Sequence, residues 1–88
     1  ILFSKKYSGL KTENHKESME VFFKVFFDAG GNVVKVQYIG FYPEVEYIGN
    51  IQELEKDLLS VAEHYPKVRP AKFFDMNVSC MVYDSVEF

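Results

Sequence analysis

The sequence predicts an α+β domain: a three-stranded antiparallel sheet, built from a hairpin and a final strand, with one amphipathic helix packed on one face. Three observations predict it. Met19, Val21, Phe23, Val25 and Phe27 alternate with Glu20, Phe22, Lys24, Phe26 and Asp28 at the period of a pleated strand. Ile51, Leu54, Leu58, Val61, Ala62 and Tyr65 recur instead at helical spacing. Asn77–Phe88 returns to extended alternation, with Val78, Cys80, Val82, Val86 and Phe88 on one face and Ser79, Met81, Tyr83, Ser85 and Glu87 on the other.

Residues 1–18 read as a flanking segment and 19–88 as the domain proper. Ile1-Leu2-Phe3 is apolar, and Tyr7 and Leu10 continue one face of a short helix or strand, so the expected role is a packing flap over the sheet. Lys11–Glu17 is polar and aperiodic and reads as a loop. After the first strand, Ala29-Gly30-Gly31-Asn32 supplies residues that tolerate positive φ and can reverse the chain. Val33–Ile39 then resumes the extended pattern, with Lys35 and Gln37 interrupting a β-branched run. Phe41–Asn50 departs from strand texture, because Pro43 lacks an amide proton and restricts Tyr42, and Gly49-Asn50 marks a second break.

Asn50 is a good helix N-cap, with Glu53 placed to reach back to the cap's amide. Acidic residues in the first turns complement the helix dipole, and Pro66 stops the helix after Tyr65. Pro66–Met76 reads as an irregular crossing that carries Lys67, Arg69 and Lys72, a short basic patch expected to be solvated. Asp84 is the polar intruder on the apolar face of the final strand, where a bulge or fraying is expected. A right-handed crossover makes the last strand parallel to the second, so it pairs antiparallel with the first. The spatial order is then second-first-third, with the final strand at an edge.

Composition narrows the function. With 88 residues the chain is one domain, and 48% hydrophobic and 17% aromatic content excludes a disordered segment. A net charge of −3 argues against nucleic acid as partner. No apolar run approaches the roughly 20 residues that span a bilayer, and no signal peptide is visible. The chain begins at Ile1 rather than Met, which points to an excised or processed piece.

With these residues placed, the chain resembles the TonB C-terminal domain family of the bacterial cell envelope. The matching features are Asp28-Ala29-Gly30-Gly31-Asn32-Val33 closing the first strand and Val36-Gln37-Tyr38-Ile39 after it. Tyr65-Pro66-Lys67-Val68-Arg69-Pro70-Ala71-Lys72 then follows the helix, and the final strand ends on Val86-Glu87-Phe88. Val68 stands where the family usually carries a large aromatic, and the family's Tyr-Pro signature is absent from Ile1–Ser18. The resemblance implies a periplasmic domain, on a protein anchored in the inner membrane upstream of Ile1. It also implies capture of an extended peptide of an outer-membrane transporter as an added strand. By position, Asn77, Val78, Ser79, Cys80, Met81, Val82 and Tyr83 form the pairing strand, with Ser79, Met81 and Tyr83 beside the peptide on one face.

Other chemistries find little footing. His15 and His64 sit at no metal-ligand spacing from each other or from Cys80, and His64 reads as a partner of the helix dipole. Cys80 falls on the apolar face of a strand, where a thiol behaves as a small hydrophobe. Glu44 and Glu46 read as solvated loop carboxylates, and Gly30-Gly31 opens no helix that would cradle phosphate. No metal, cofactor or catalytic set is therefore expected, and the chain is not read as an enzyme. Phe22 and Phe26 lie off the main core; cover by Ile1–Leu10 is expected, with a partner or self-association surface as the other reading. The leading function is a peptide-docking module that couples a transporter to inner-membrane energy. The alternative is a structural domain that forms a homodimer through exposed strand edges.

Overall fold

The computed structural model describes residues 3–64, 71–73 and 76–88. In chain order they form α1 (Phe3–Glu13), β1 (Glu20–Phe27), β2 (Val33–Tyr42), α2 (Ile51–Glu63), β3 (Ala71–Phe73), β4 (Met76–Val78) and β5 (Cys80–Glu87). The main sheet is antiparallel with order β2-β1-β5, so β1 is central and the last strand lies at an edge, as the crossover argument predicts. The core follows the odd-numbered phase of β1: Met19, Val21, Phe23 and Val25 are each at most 2% exposed. Leu54, Leu58 and Ala62 of α2 close over them, and the helix lies on the β2 side of the sheet.

The local signals hold where they are strongest. In the turn, the Asp28 carboxylate accepts the N–H groups of Gly30 and Asn32, both at 2.9 Å, and Gly31 takes φ 81°. Asn50 Oδ1 accepts the Glu53 N–H at 3.1 Å, the expected cap. Glu53 itself does not reach back to the cap; its carboxylate takes Lys6 Nζ at 2.7 Å instead. The expected stop at Pro66, the Tyr65 position on the apolar face and the Lys67–Arg69 patch lie outside the described residues.

Several expectations are corrected. Among the described residues there are two helices, not one, because Phe3, Tyr7 and Leu10 share a face that α1 packs onto the core, and the helix runs on through Lys11 to Glu13. It ends where His15 takes φ 55° and the Lys16 N–H returns to the Lys11 carbonyl at 2.9 Å, a closure in which histidine stands where glycine is usual. Strand β2 extends through Tyr42, past the expected break at Phe41, because its pairing continues to Glu20↔Tyr42. The final strand is two strands. Ala71–Phe73 pairs with Met76–Val78, a local pairing that closes at little entropic cost, and Ser79 separates it from β5. Asp84 causes neither bulge nor fraying: β1 and β5 stay in unbroken register from Glu20↔Glu87 to Phe27↔Cys80.

The N-terminal helix does not cover Phe22 and Phe26. It packs on the α2 side, where Phe3 stacks on Tyr7 and meets Phe88 edge-on. Polar contacts hold it there. Tyr7 Oη–H donates to Asp57 Oδ2 at 2.5 Å, and Lys6 Nζ reaches Asp57 at 2.7 Å. Burial alone pushes the Asp57 carboxyl up, but the hydrogen bonds from Lys6 and Tyr7 outweigh it and hold the group below its ordinary value of 3.8. Burial, then the Asp57 contact, pushes the Tyr7 hydroxyl well above its ordinary range.

Two outcomes follow from this packing. Leu58→Ala, at a fully buried position, lowers the unfolding free energy by about 3 kcal/mol in urea titration. Because the folded-state pKa of Asp57 lies below the unfolded one, the stability it contributes is present above about pH 4 and is lost as pH falls through the folded value. Asp57→Asn therefore shows a shallower acid limb than the wild type when stability is followed from pH 6 down to about pH 2.

Candidate functional site

The two edges of the sheet differ. Met19 and Phe88 exchange both backbone hydrogen bonds, at 2.8 and 2.7 Å, which fixes the phase of the β1–β5 ladder. Counting by twos, Val86, Asp84, Val82 and Cys80 turn their N–H and C=O groups toward β1. Glu87, Ser85, Tyr83 and Met81 turn theirs away from it. Among the described residues no strand pairs with that outward side of β5.

On the opposite edge, the same count turns Tyr38 outward, and its N–H is taken by the Glu55 carboxylate of α2 at 2.9 Å. Strand β2 also carries two register shifts, which leave Val34 and Ile39 without partners in the ladder. Bulges and a capping carboxylate are the devices by which a sheet edge resists further pairing. Strand β5 carries no bulge along its ladder with β1.

One capping contact does occur on β5. The Asp84 carboxylate accepts the outward N–H of Ser85 at 2.8 Å. The outward groups that remain open for a ladder centre on Met81 and Tyr83. Their side chains, 38% and 69% exposed, lie on the sheet face away from the helices. Val82 faces the helix side opposite Val25, yet it is 43% exposed because α2 stands over the β2 side. An apolar edge strand is thus open on both faces in its middle.

The residues predicted to pair with a peptide fall into two groups. Cys80, Met81, Val82 and Tyr83 lie on this edge, with Cys80 half-buried opposite Phe27. Asn77 and Val78 belong to β4 and already pair with Lys72 and Ala71, and Ser79 is the exposed break between the strands. The open edge is therefore shorter than expected at its start, because a local hairpin uses the first residues. The caps from Glu55 and Asp84 were missed by sequence reasoning. For Asp84 the signal was present, a lone carboxylate on an apolar strand face; for Glu55 nothing local distinguishes it from its acidic neighbours on the helix.

The remaining candidates are scattered. Glu44 and Glu46 are exposed, and His64 caps α2 with its ring Nδ1 2.5 Å from the Ser60 carbonyl. No cluster of three metal-ligating side chains occurs among the described residues. A shallow cleft of about 190 Å³ is lined by Ser18, Met19, Glu20, Tyr42, Pro43 and Glu87 at one end of the sheet. No described helix is long and apolar enough to cross a membrane. Compared with known protein families, curated proteins and solved structures, the chain matches none of them.

Hydrogen exchange read residue by residue tests the edge assignment. The amides of Val82, Asp84 and Val86 exchange slowly, and those of Met81 and Tyr83 at least about tenfold faster. Asp84→Ala accelerates Ser85 and leaves Val82 and Val86 unchanged.

Proposed function

We propose that this chain is a binding module that takes up an extended peptide as a further strand beside β5. The observation that supports this reading is the contrast between the edges: β2 is bulged and capped by Glu55, while β5 presents the outward backbone of Met81 and Tyr83. Backbone hydrogen bonds to those two residues give affinity without regard to sequence. Met81 and Tyr83 on one face, and Val82 on the other, supply contacts that select side chains. An apolar residue beside Val82 suits its exposed position, and a basic residue opposite Asp84 suits that carboxylate.

The resemblance to TonB C-terminal domains supports a more specific version. In it the domain is periplasmic, belongs to a protein anchored in the inner membrane, and docks a segment of an outer-membrane transporter to couple it to cellular energy. Asp28–Val33, Val36–Ile39, Ala71-Lys72 and Val86–Phe88 carry the resemblance among the described residues. The strand order and the edge position of the last strand suit this role, with no catalytic step required of the chain.

Titration of isotope-labelled protein with extended peptides from the amino-terminal segments of such transporters tests the proposal. Saturable amide shifts centred on Met81 and Tyr83 are expected. Tyr83→Pro removes an outward N–H without breaking the ladder to β1, and it abolishes the shifts. Asp84→Ala frees the Ser85 N–H for one more ladder bond, worth about 1 kcal/mol or roughly fivefold in affinity. Shifts that collect along β2, or fail to saturate, count against docking at this edge. A dimer mass with no peptide response favours edge-paired self-association instead.

A further inference from the structure

The sheet face away from the helices is patterned in both charge and side-chain size. The register places its side chains in four rows across the strands. At one end Glu20 stands opposite Glu87, beside Tyr42. In the next row Phe22 lies between Gly40 and Ser85. Then Lys24 lies between Gln37 and Tyr83, and at the far end Phe26 lies between Lys35 and Met81. Charge is segregated: two carboxylates stand in the first row, and the ammonium groups of Lys24 and Lys35 belong to the third and fourth, about 14 and 20 Å further along β1. Between them lie rings with no described element over them. Phe22 is 37% exposed because its neighbours on either side are small, and Lys24 and Lys35 lie against the rings of Tyr83 and Phe26, at 5.9 and 4.6 Å from the centroids.

We infer that this face binds a second copy of the chain, face to face, about a two-fold axis lying between the sheets and perpendicular to the strands. That rotation lays β1 over β1 and β5 over β5 with their directions reversed. The first row of each copy then lies over the fourth row of the other, with Glu20 over Phe26, Glu87 over Met81 and Tyr42 over Lys35, so that Glu20 of each copy comes diagonally beside Lys35 of its mate. Shape agrees with charge. The row with small flanks, Gly40 and Ser85, falls opposite the row with long ones, Gln37 and Tyr83, so the large side chains of each copy enter the depressions of its mate. The other two-fold arrangement, about an axis along the strands, lays β1 over β1 with rows in phase, sets Glu20 against Glu20 and Lys24 against Lys24, and is repulsive. The same carboxylates argue against an anionic lipid surface as the occupant.

The footprint sets the strength. Three strands about 4.8 Å apart and seven residues long give a face of about 14 by 24 Å, smaller than the roughly 800 Å² per partner typical of stable complexes. The dimer is therefore weak, with a dissociation constant above about 10 μM. It is also salt-sensitive, because its selectivity comes from exposed charges.

Sedimentation equilibrium at low ionic strength, up to about 1 mM protein, tests this with two folded variants. Lys24→Glu with Lys35→Glu makes the face wholly acidic, and Glu20→Lys with Glu87→Lys makes it wholly basic. Each alone self-associates at least about tenfold more weakly than the wild type, with unchanged far-ultraviolet circular dichroism. Mixed at equal concentration, they form a heterodimer at least as tight as the wild-type dimer. The inference is overturned if the wild type stays monomeric throughout the range. It is equally overturned if both variants still dimerise alone and only Tyr83→Pro abolishes association, since edge pairing is then the contact.

Discussion

The double pairing of β1 is the constraint on which the rest depends. It bonds to β2 on one side and β5 on the other, and its odd-numbered side chains make the floor of the core. These two facts are locked in phase. Met19, Val21, Phe23 and Val25 send their side chains under the helices and their backbone groups toward β5, while the even-numbered residues send theirs toward β2. In β5 the partners inherit the same relation: residues that face the helix side use their backbone on β1, and residues that face the open side turn theirs outward. A slip of one residue would expose the core, so hydrophobic burial fixes which backbone groups β5 presents. The chemistry offered at the edge is thus set by the packing of Phe23 and Leu58, several ångströms away.

The helix layer then decides which edge stays open. Strand β2 lies under α2, and Glu55 is thereby brought within reach of the outward Tyr38 N–H. The other helix is held at the Phe88 end of β5 by Phe3, Tyr7 and the Asp57 contacts, which leaves Val82 uncovered further along the same strand. A three-stranded sheet is wider than α2 alone can roof, and the shortfall is concentrated on β5. Asp84 limits the consequence: its carboxylate occupies one outward donor, a device that restrains unselective pairing without closing the edge.

Much of this architecture was legible in the residues. The alternation of Met19–Phe27, the cap at Asn50 and the crossover argument together yield the sheet order and the edge position of the last strand. Three features were not legible, each for a physical reason. Phe3, Tyr7 and Leu10 make a face too short to separate helix from strand, and docking against Asp57 and Phe88, distant in sequence, settles it. The break at Ser79 comes from pairing with Ala71–Phe73, which competes with the longer ladder and leaves no mark in the alternation of Asn77–Phe88. Gly40 looks like a weak point in a strand; opposite Phe22 it instead opens a depression on the outer face, which only the register reveals.

The edge and the outer face are not independent, because Met81 and Tyr83 belong to both: their backbone groups point along the sheet and their side chains point out of it. A strand added beside β5 therefore lengthens each row of the outer face by one residue, widening the face from about 14 to about 19 Å. Two copies packed face to face with β5 over β5 place both edges on the same side, so two docked peptides would lie one above the other and contribute side chains to the same interface. Each event then enlarges the contact area available to the other. By linkage the effect is reciprocal: whatever factor a docked strand gains for the dimer, the dimer returns to the docking of the strand. A weak face-to-face contact in the free protein is what such coupling requires, since a tight one would already be saturated and leave the peptide nothing to shift.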